Sequence, residues 1–435
     1  MKLISDLKHT SLLLGLSALL LVPIQGRAAD VEDTGQQEAV QGLPLEELRM
    51  FAEVYGRIKD AYVEPVDDRE LLQDAIRGML AGLDPHSSYL EPDAFDSLQV
   101  HTSGEFGGLG IEVGMEDGFV RVIAPIDDTP AQRAGIKAGD LIIKIDDTPM
   151  QGLGLNDAVD MMRGEIGSEI RLTIVRDGVE KPFEVKLVRD AIKVVSVKPK
   201  LLEPGYGYVR ITQFQLNTAD DLRKALVDMS EETQLKGLVL DLRNNPGGVL
   251  QAAVDVVDTF IDKGLIVYTE GRLPSSQLEF SATAKTPEPD LPLVVLINGG
   301  SASASEIVAG ALQDHHRAVL MGTDSFGKGS VQTVLPLGND RGLKLTTARY
   351  FTPEGRSIQA QGIQPDLVVE EGRLTSVVHE DFIKERDLAG HLENAAAVEQ
   401  VTNGDEELAQ RDFQLYQAVN LLKALNIVST GSQGG

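Results

Sequence analysis

The sequence predicts an α/β fold: a mixed sheet with helices on its faces, an inserted β-rich domain, and helical N- and C-terminal segments. Three observations carry this. From Gly207 onward, apolar runs of strand length alternate with amphipathic runs of helix length. Between residues 98 and 190 the segments are short, β-like and punctuated by glycine. Near both ends, apolar residues recur at helical spacing. The 435 residues suffice for two or three domains, and 42% hydrophobic side chains suffice for a sizeable core. The expected division is 1–28 as a leader, 29–97 as an N-terminal helical region, 98–190 as the inserted domain, 191–370 as the α/β core and 371–435 as a C-terminal helical region.

Composition narrows the function classes. There are 40 basic and 67 acidic side chains, a formal charge of -27, and no Lys/Arg-rich run to neutralise phosphates. That argues against a nucleic-acid partner. With no cysteine in the chain, disulfides, thiolate catalysis, Cys-based zinc sites and a cysteine-linked lipid anchor are excluded. No metal or cofactor is expected.

Lys2 and Lys8 form the basic start of a leader whose apolar stretch, Ser11 to Val22, is short for a membrane span. Gly26-Arg27-Ala28 offers small residues for cleavage before Ala29, the pattern of a secretory signal. An exported, soluble protein is expected. Asp30 to Gly42 is polar and acidic, a lead-in without fixed structure. Leu45, Leu48, Phe51, Ala52, Tyr55 and Ile58 then share one helical face. That stripe is expected to pack on a second copy, giving a homo-oligomer through the terminal helices. A second helix is expected from Asp68 to Ala81, with Gly82 capping it.

The segment from His101 to Ile111 holds Gly104, Gly107, Gly108 and Gly110 but no Gly-Lys-Ser/Thr, so it is no phosphate loop. Short strands follow at Phe119 to Ile123, Leu141 to Ile145 and Ile170 to Val175, with a helix from Asn156 to Met162. Gly108-Leu109-Gly110-Ile111, Pro130-Ala131-Gln132-Arg133-Ala134-Gly135 and Ala138-Gly139-Asp140-Leu141 together resemble a PDZ domain. The resemblance implies that Gly108, Leu109, Gly110 and Ile111 receive the C-terminal carboxylate of a peptide added as a strand to a sheet edge.

In the core, helices are expected at Ala219 to Met229 and Val249 to Phe260, and strands at Gly207 to Ile211, Leu238 to Leu242, Ile266 to Tyr268, Leu293 to Ile297 and Val319 to Gly322. Leu273 to Pro292 reads as a hairpin or lid. Val331 to Leu337 and Leu343 to Phe351 read as a hairpin, and Leu367 to Val369 as the last strand. From Phe382 the tail reads as helical. Its apolar face at Phe413, Tyr416, Ala418, Val419, Leu422, Leu425 and Ile427 is either docked or a partner site.

Two strand-turn-helix units have unusual turns, Asn245-Pro246-Gly247-Gly248 and Gly299-Gly300-Ser301-Ala302-Ser303. In open α/β sheets, sites form beyond the carboxyl ends of strands. A serine on a tight turn before a helix is well placed for nucleophilic attack, and amides of Gly247 or Gly248 and of Ala304 are candidate oxyanion donors. Serine needs a base. His315 lies 12 residues past Ser303 on the same expected helix, about 18 Å along its axis and out of reach. His86 and His101 stay open for a Ser-His arrangement. Lys328, between Gly327 and Gly329 beside Phe326, is the alternative, because burial makes a lysine neutral and basic enough to serve.

Ser301-Ala302-Ser303-Ala304-Ser305-Glu306 and Phe326-Gly327-Lys328-Gly329-Ser330-Val331-Gln332 resemble the core of the carboxyl-terminal processing peptidases, or tail-specific proteases. Leu83-Asp84-Pro85-His86-Ser87, Asp241-Leu242-Arg243-Asn244-Asn245-Pro246-Gly247-Gly248 and Gly362-Ile363-Gln364-Pro365-Asp366 extend the likeness over nearly the whole chain. These are serine endopeptidases with a Ser-Lys dyad and an inserted PDZ domain. The resemblance implies Ser303 as nucleophile, 25 positions before the lysine, Lys328 as base and Gln332 as the residue orienting it. Gln332 is four residues on, about 13 Å in an extended strand, so either the segment bends or the contact forms only in an active state. The family further implies a periplasmic protein that recognises C-terminal regions of protein substrates, gating by the PDZ domain with Arg163 as a candidate coupling residue, and a lipoprotein adaptor or activator. A non-enzymatic PDZ adaptor and a Ser-His hydrolase are the rival readings.

Overall fold

The structure is a computed structural model that describes residues 44–116, 118–283, 290–372, 388, 392 and 408–432. The expected leader and acidic lead-in lie outside the described residues, as does most of the tail between 373 and 407. The chain divides into two units, residues 1–71 and 72–435.

In the first unit, the helix Leu45–Ala61 buries none of its side chains. Leu45, Leu48 and Phe51 of its apolar stripe stand exposed. The Tyr55 hydroxyl and the Lys59 amine both engage Asp68.

The second unit holds three separate sheets of note. The central one has six strands in the order Val197–Glu203, Tyr206–Ile211, Gly237–Asp241, Leu293–Ile297, Val319–Gly322 and Leu367–Val368. Its first pair is antiparallel and the rest are parallel, so it is mixed, as expected. Every residue of Gly237–Asp241 and Leu293–Ile297 is buried, as befits strands covered on both faces. Side chains alternate between the faces. Leu293, Val295 and Ile297 join the core with the helices Thr218–Glu232, Leu250–Asp258 and Ala304–Asp314, while Val294 and Leu296 face the other way.

That other face is covered by the C-terminal helix Phe413–Ser432, through Leu415, Ala418, Val419 and Leu422. Of the two alternatives for the tail, this stretch is docked; Leu425 and Ile427 remain exposed. Polar contacts seat it as well. Arg243 pairs with Asp241 beneath it and with Asp412 at the start of the tail segment, and also donates to Gln414. Burial opposes the charge of Asp412, but the hydrogen bonds and charge of Arg243 outweigh it and hold the carboxyl below its usual range.

The second sheet corrects the sequence reading. Leu265–Gly271, expected in one mixed sheet with the other core strands, lies in a separate sheet and pairs antiparallel with Leu278–Ser281 and with Arg341–Phe351. Arg341–Phe351 also pairs with Ser330–Leu337 and with Ser88–Leu90. This five-stranded sheet carries the region after Lys328.

The inserted domain has its own six-stranded antiparallel sheet around a separate core that includes Leu109, Val120, Ile142, Met150 and Leu172. Ile111–Glu116 is its edge strand and pairs only with Phe119–Pro125 among the described residues. A helix over Pro92–Ser103, unassigned by the sequence reading, leads into this domain. Pro92 stands at its first turn and Gly104, with φ 75, closes it in the left-handed conformation, the usual proline-start, glycine-end asymmetry.

Candidate active site

Two turns leave the carboxyl ends of neighbouring parallel strands, Gly237–Asp241 and Leu293–Ile297. Hydrogen bonds lace them together. Asn298 Oδ1 accepts the N–H groups of Asn244 and Gly300 at 2.9 and 3.0 Å. The Ser301 hydroxyl donates to Leu242 O at 2.8 Å, and Asn245 O accepts the Ala302 N–H and the Ser305 hydroxyl. Buried Asn245 donates to Ile211 O and accepts the Gly247 N–H at 2.9 Å. The Gly247 amide is therefore engaged, which corrects its place among the candidate oxyanion donors. The amides of Gly248 and Ala304 make no hydrogen bond among the described residues, and both residues line one cavity.

Gly248 has φ 143, and a Cβ there would lie 2.1 Å from Phe214 O. A side chain fits neither the conformation nor the space. Gly248→Ala is expected to lower the unfolding free energy by about 2 kcal/mol or more, read as a lower urea midpoint at unchanged slope.

Ser303 caps the helix Ala304–Asp314 with φ 58 and ψ -114. Such a conformation costs a non-glycine residue about 1–3 kcal/mol and is held by its surroundings. The holding group is Glu306, fully buried three residues on. Its Oε2 accepts the N–H of Ser303 at 2.7 Å and of Lys328 at 2.9 Å. Its Oε1 accepts the Gly327 N–H and the Ser325 hydroxyl, both at 2.6 Å. One carboxylate thus ties the serine turn to the lysine loop. In the sequence, Glu306 stands only as the last residue of the Ser301 to Glu306 motif, with no role of its own. The Ser-x-x-Glu spacing at a helix start was the available signal, since a glutamate there reaches back to the N-cap amide.

Lys328 is partly buried. Burial first, and then the charge of Lys344, hold its amine below the usual lysine range, while Glu306 works the other way. The Tyr350 hydroxyl, 2% exposed as a residue, donates to Lys328 O. Ser303, Ala304, Gly248, Lys328, Gln332, Lys344 and Tyr350 open on a single cavity of about 370 Å³. Among the described residues, no hydrogen bond joins the side chains of Ser303 and Lys328. Gln332 does not reach Lys328 either; its amide donates to Ser330 O and Oγ. A register shift between Val331 and Gln332 bends the strand there.

The histidines fall differently. His101 lines the cavity, but its exposed ring has Nδ1 against Ser97 O at 2.6 Å. His86 sits near Lys328; burial first, and then the Lys328 charge, lower its proton affinity. His315 contacts Leu265 O and is not at this cavity. Among the described residues, no group of three or more His, Asp or Glu side chains is arranged to hold a metal.

In the inserted domain, Gly108 closes the strand Glu105–Gly108, buried Leu109 follows, Gly110 turns with φ 74, and Ile111 opens the edge strand. The Ile126 N–H pins this loop by donating to Gly110 O at 2.8 Å. Arg163 lies over the Phe106 ring at 4.9 Å. It faces a groove whose other wall is the helix Pro92–Ser103, through Asp93, Asp96 and Val100. The same helix presents Leu98, His101 and Thr102 to the serine cavity.

Three sequence patterns of known families match the chain: peptidase family S41 at residues 205–369, a PDZ domain at residues 107–187, and the activating protease CtpB N-terminal domain at residues 21–94. The carboxy-terminal-processing protease of Bartonella bacilliformis is 48% identical over 416 residues, which cover 94% of this chain and 93% of that protein. The carboxyl-terminal-processing protease of a Synechocystis species is 40% identical, over 72% of this chain and 75% of that one. The carboxy-terminal processing protease CtpB of Bacillus subtilis is 34% identical, over 79% and 72%. With these matches and its mixed α/β architecture, the chain belongs to peptidase family S41, among the carboxyl-terminal processing proteases.

Proposed function

We propose that the chain is an exported endopeptidase that cleaves protein substrates with a Ser303–Lys328 dyad after its PDZ domain takes up their C-terminal regions. The carrying observation is the convergence on one cavity of a strained serine, a lysine whose amine burial holds below its usual range, and two amides without a hydrogen-bond partner among the described residues. Neutral Lys328 takes the Ser303 proton as the hydroxyl attacks the scissile carbonyl. The amides of Gly248 and Ala304 hold the oxyanion. Lys328 then protonates the leaving amine, and water releases the acyl group by the reverse sequence. Among the described residues the two side chains are not hydrogen-bonded to each other; catalytic contacts often tighten only with substrate bound. Incubation with a serine-directed covalent probe, followed by peptide mass spectrometry, should place the adduct on Ser303. An adduct elsewhere, or none with active protein, would reject the assignment.

The open edge of Ile111–Glu116 and the Gly108–Ile111 loop support uptake of an extended peptide end. Gly110→Ala would bring a Cβ to 2.3 Å from Thr129 at a positive φ. The variant is expected to raise KM at least about tenfold for substrates bound through their C-terminus, since about 1.4 kcal/mol of binding is a tenfold change. A C-terminally amidated substrate should already bind weakly and show little further change.

The helix Pro92–Ser103 supplies a route by which Arg163 could couple the PDZ domain to the cavity, since it walls both. The leader at residues 1–28 supports export to the periplasm, where a lipoprotein adaptor would meet the enzyme, and the exposed stripe of Leu45–Ala61 supports self-association.

A further inference from the structure

The cavity holds a second cation that the chemistry above leaves unused. Lys344 lines it together with Lys328 and is only partly exposed. It forms no ion pair among the described residues, and its register partners are the uncharged Ser88 and Val334. The turn bearing His86 is tied to the strand that holds Lys344, where the Thr346 N–H donates to the Ser87 hydroxyl. Asp84 accepts the N–H groups of His86 and Ser87 and the hydroxyls of Ser87 and Thr346, and Thr346 stands two residues from Lys344 on one strand.

We propose that Lys344 is a positioning residue whose unpaired positive charge acts across the cavity on the Lys328 amine and keeps it available as a proton acceptor. This rests on reading Lys328 as the base. The groups facing Lys328 are Glu306 from the helix Ala304–Asp314, Lys344 and Tyr350 from the strand Arg341–Phe351, and His86 from the corner beside it. His101 shares the cavity from the helix Pro92–Ser103. Glu306 gathers four hydrogen bonds at the serine turn and the lysine loop, yet its charge favours the protonated Lys328 amine, which cannot accept a proton. A second cation lining the same cavity offsets that pull. Lys344 thereby lets one carboxylate organise both loops without disabling the base it holds.

The sign of the test follows. Removing the Lys344 charge lets Lys328 hold its proton to higher pH. In Lys344→Met, the acidic limb of kcat/KM for casein cleavage should move up by about one pH unit, while Lys344→Arg should leave it in place. The pH dependence of Lys328 acetylation by acetic anhydride, read by peptide mass spectrometry, should move the same way without reference to activity. If neither limb nor acetylation moves in Lys344→Met, the proposal is overturned. A rise in KM with an unmoved limb also overturns it and assigns Lys344 to substrate binding. The dyad itself is tested apart: Lys328→Ala retaining cleavage would reject the base, whereas the acetylation shift still decides the role of Lys344.

Discussion

Ser303→Ala is expected to reduce cleavage of an unfolded protein by a factor on the order of 10⁴–10⁶, with the unfolding midpoint nearly unchanged. Alanine has the same trouble as serine with a φ of 58, so the turn survives the change. Lys328→Ala should cost a comparable factor, and the double variant should be no worse than either single one, because a nucleophile without its base and a base without its nucleophile fail as one unit. The pH profile carries independent weight. Only the neutral amine accepts a proton, so kcat/KM must fall as pH drops through the depressed Lys328 pKa. Activity unchanged down to about pH 5 would exclude an amine base, since even deeply buried lysines titrate near about 5–6.

Glu306→Ala should damage both stability and activity. It leaves the N–H groups of Ser303, Gly327 and Lys328 and the hydroxyl of Ser325 without their acceptor. Each buried orphan costs about 1–3 kcal/mol, so a loss of at least about 3 kcal/mol is expected in urea unfolding. Freed from each other, the serine turn and the lysine loop no longer hold a common geometry, and displacement of about 1 Å can cost about 10²-fold in rate. Glu306→Gln should fall between, since the amide keeps one acceptor oxygen but turns an NH₂ toward groups that are themselves donors. Wild-type stability in Glu306→Ala would show that the carboxylate does not hold the two loops.

How far the sequence could be read depended on the range of each interaction. The serine turn, its helix and the strand before it are local, and their small residues and apolar runs announce them. The fold class followed from such local signals. The second sheet did not. Leu265–Gly271 looks like any strand of an alternating α/β run, but its partner Arg341–Phe351 lies far along the chain, and nothing in its composition names that partner. The helix Pro92–Ser103 buries no residue fully, so it lacks the apolar stripe that would betray it, although Pro92 and Gly104 mark its ends. In the site, Ser303 and Lys328 were legible as a pair only through a family motif. That Gly248 rather than Gly247 offers a free amide turns on the Asn245 side chain, and that Lys344 lines the same cavity as Lys328 turns on how the second sheet folds over the site; both are tertiary facts.

The edge strand Ile111–Glu116 has a liability built into its usefulness. A row of unpaired backbone groups that welcomes one peptide will welcome another molecule's strand just as readily, and that is how folded proteins begin to aggregate. This edge spans six residues, and Glu112 and Glu116 put carboxylates along it. A chain of formal charge -27 adds long-range repulsion between copies. The same short, acidic edge, proposed above to seat a peptide end, thus resists pairing with another folded molecule's strand.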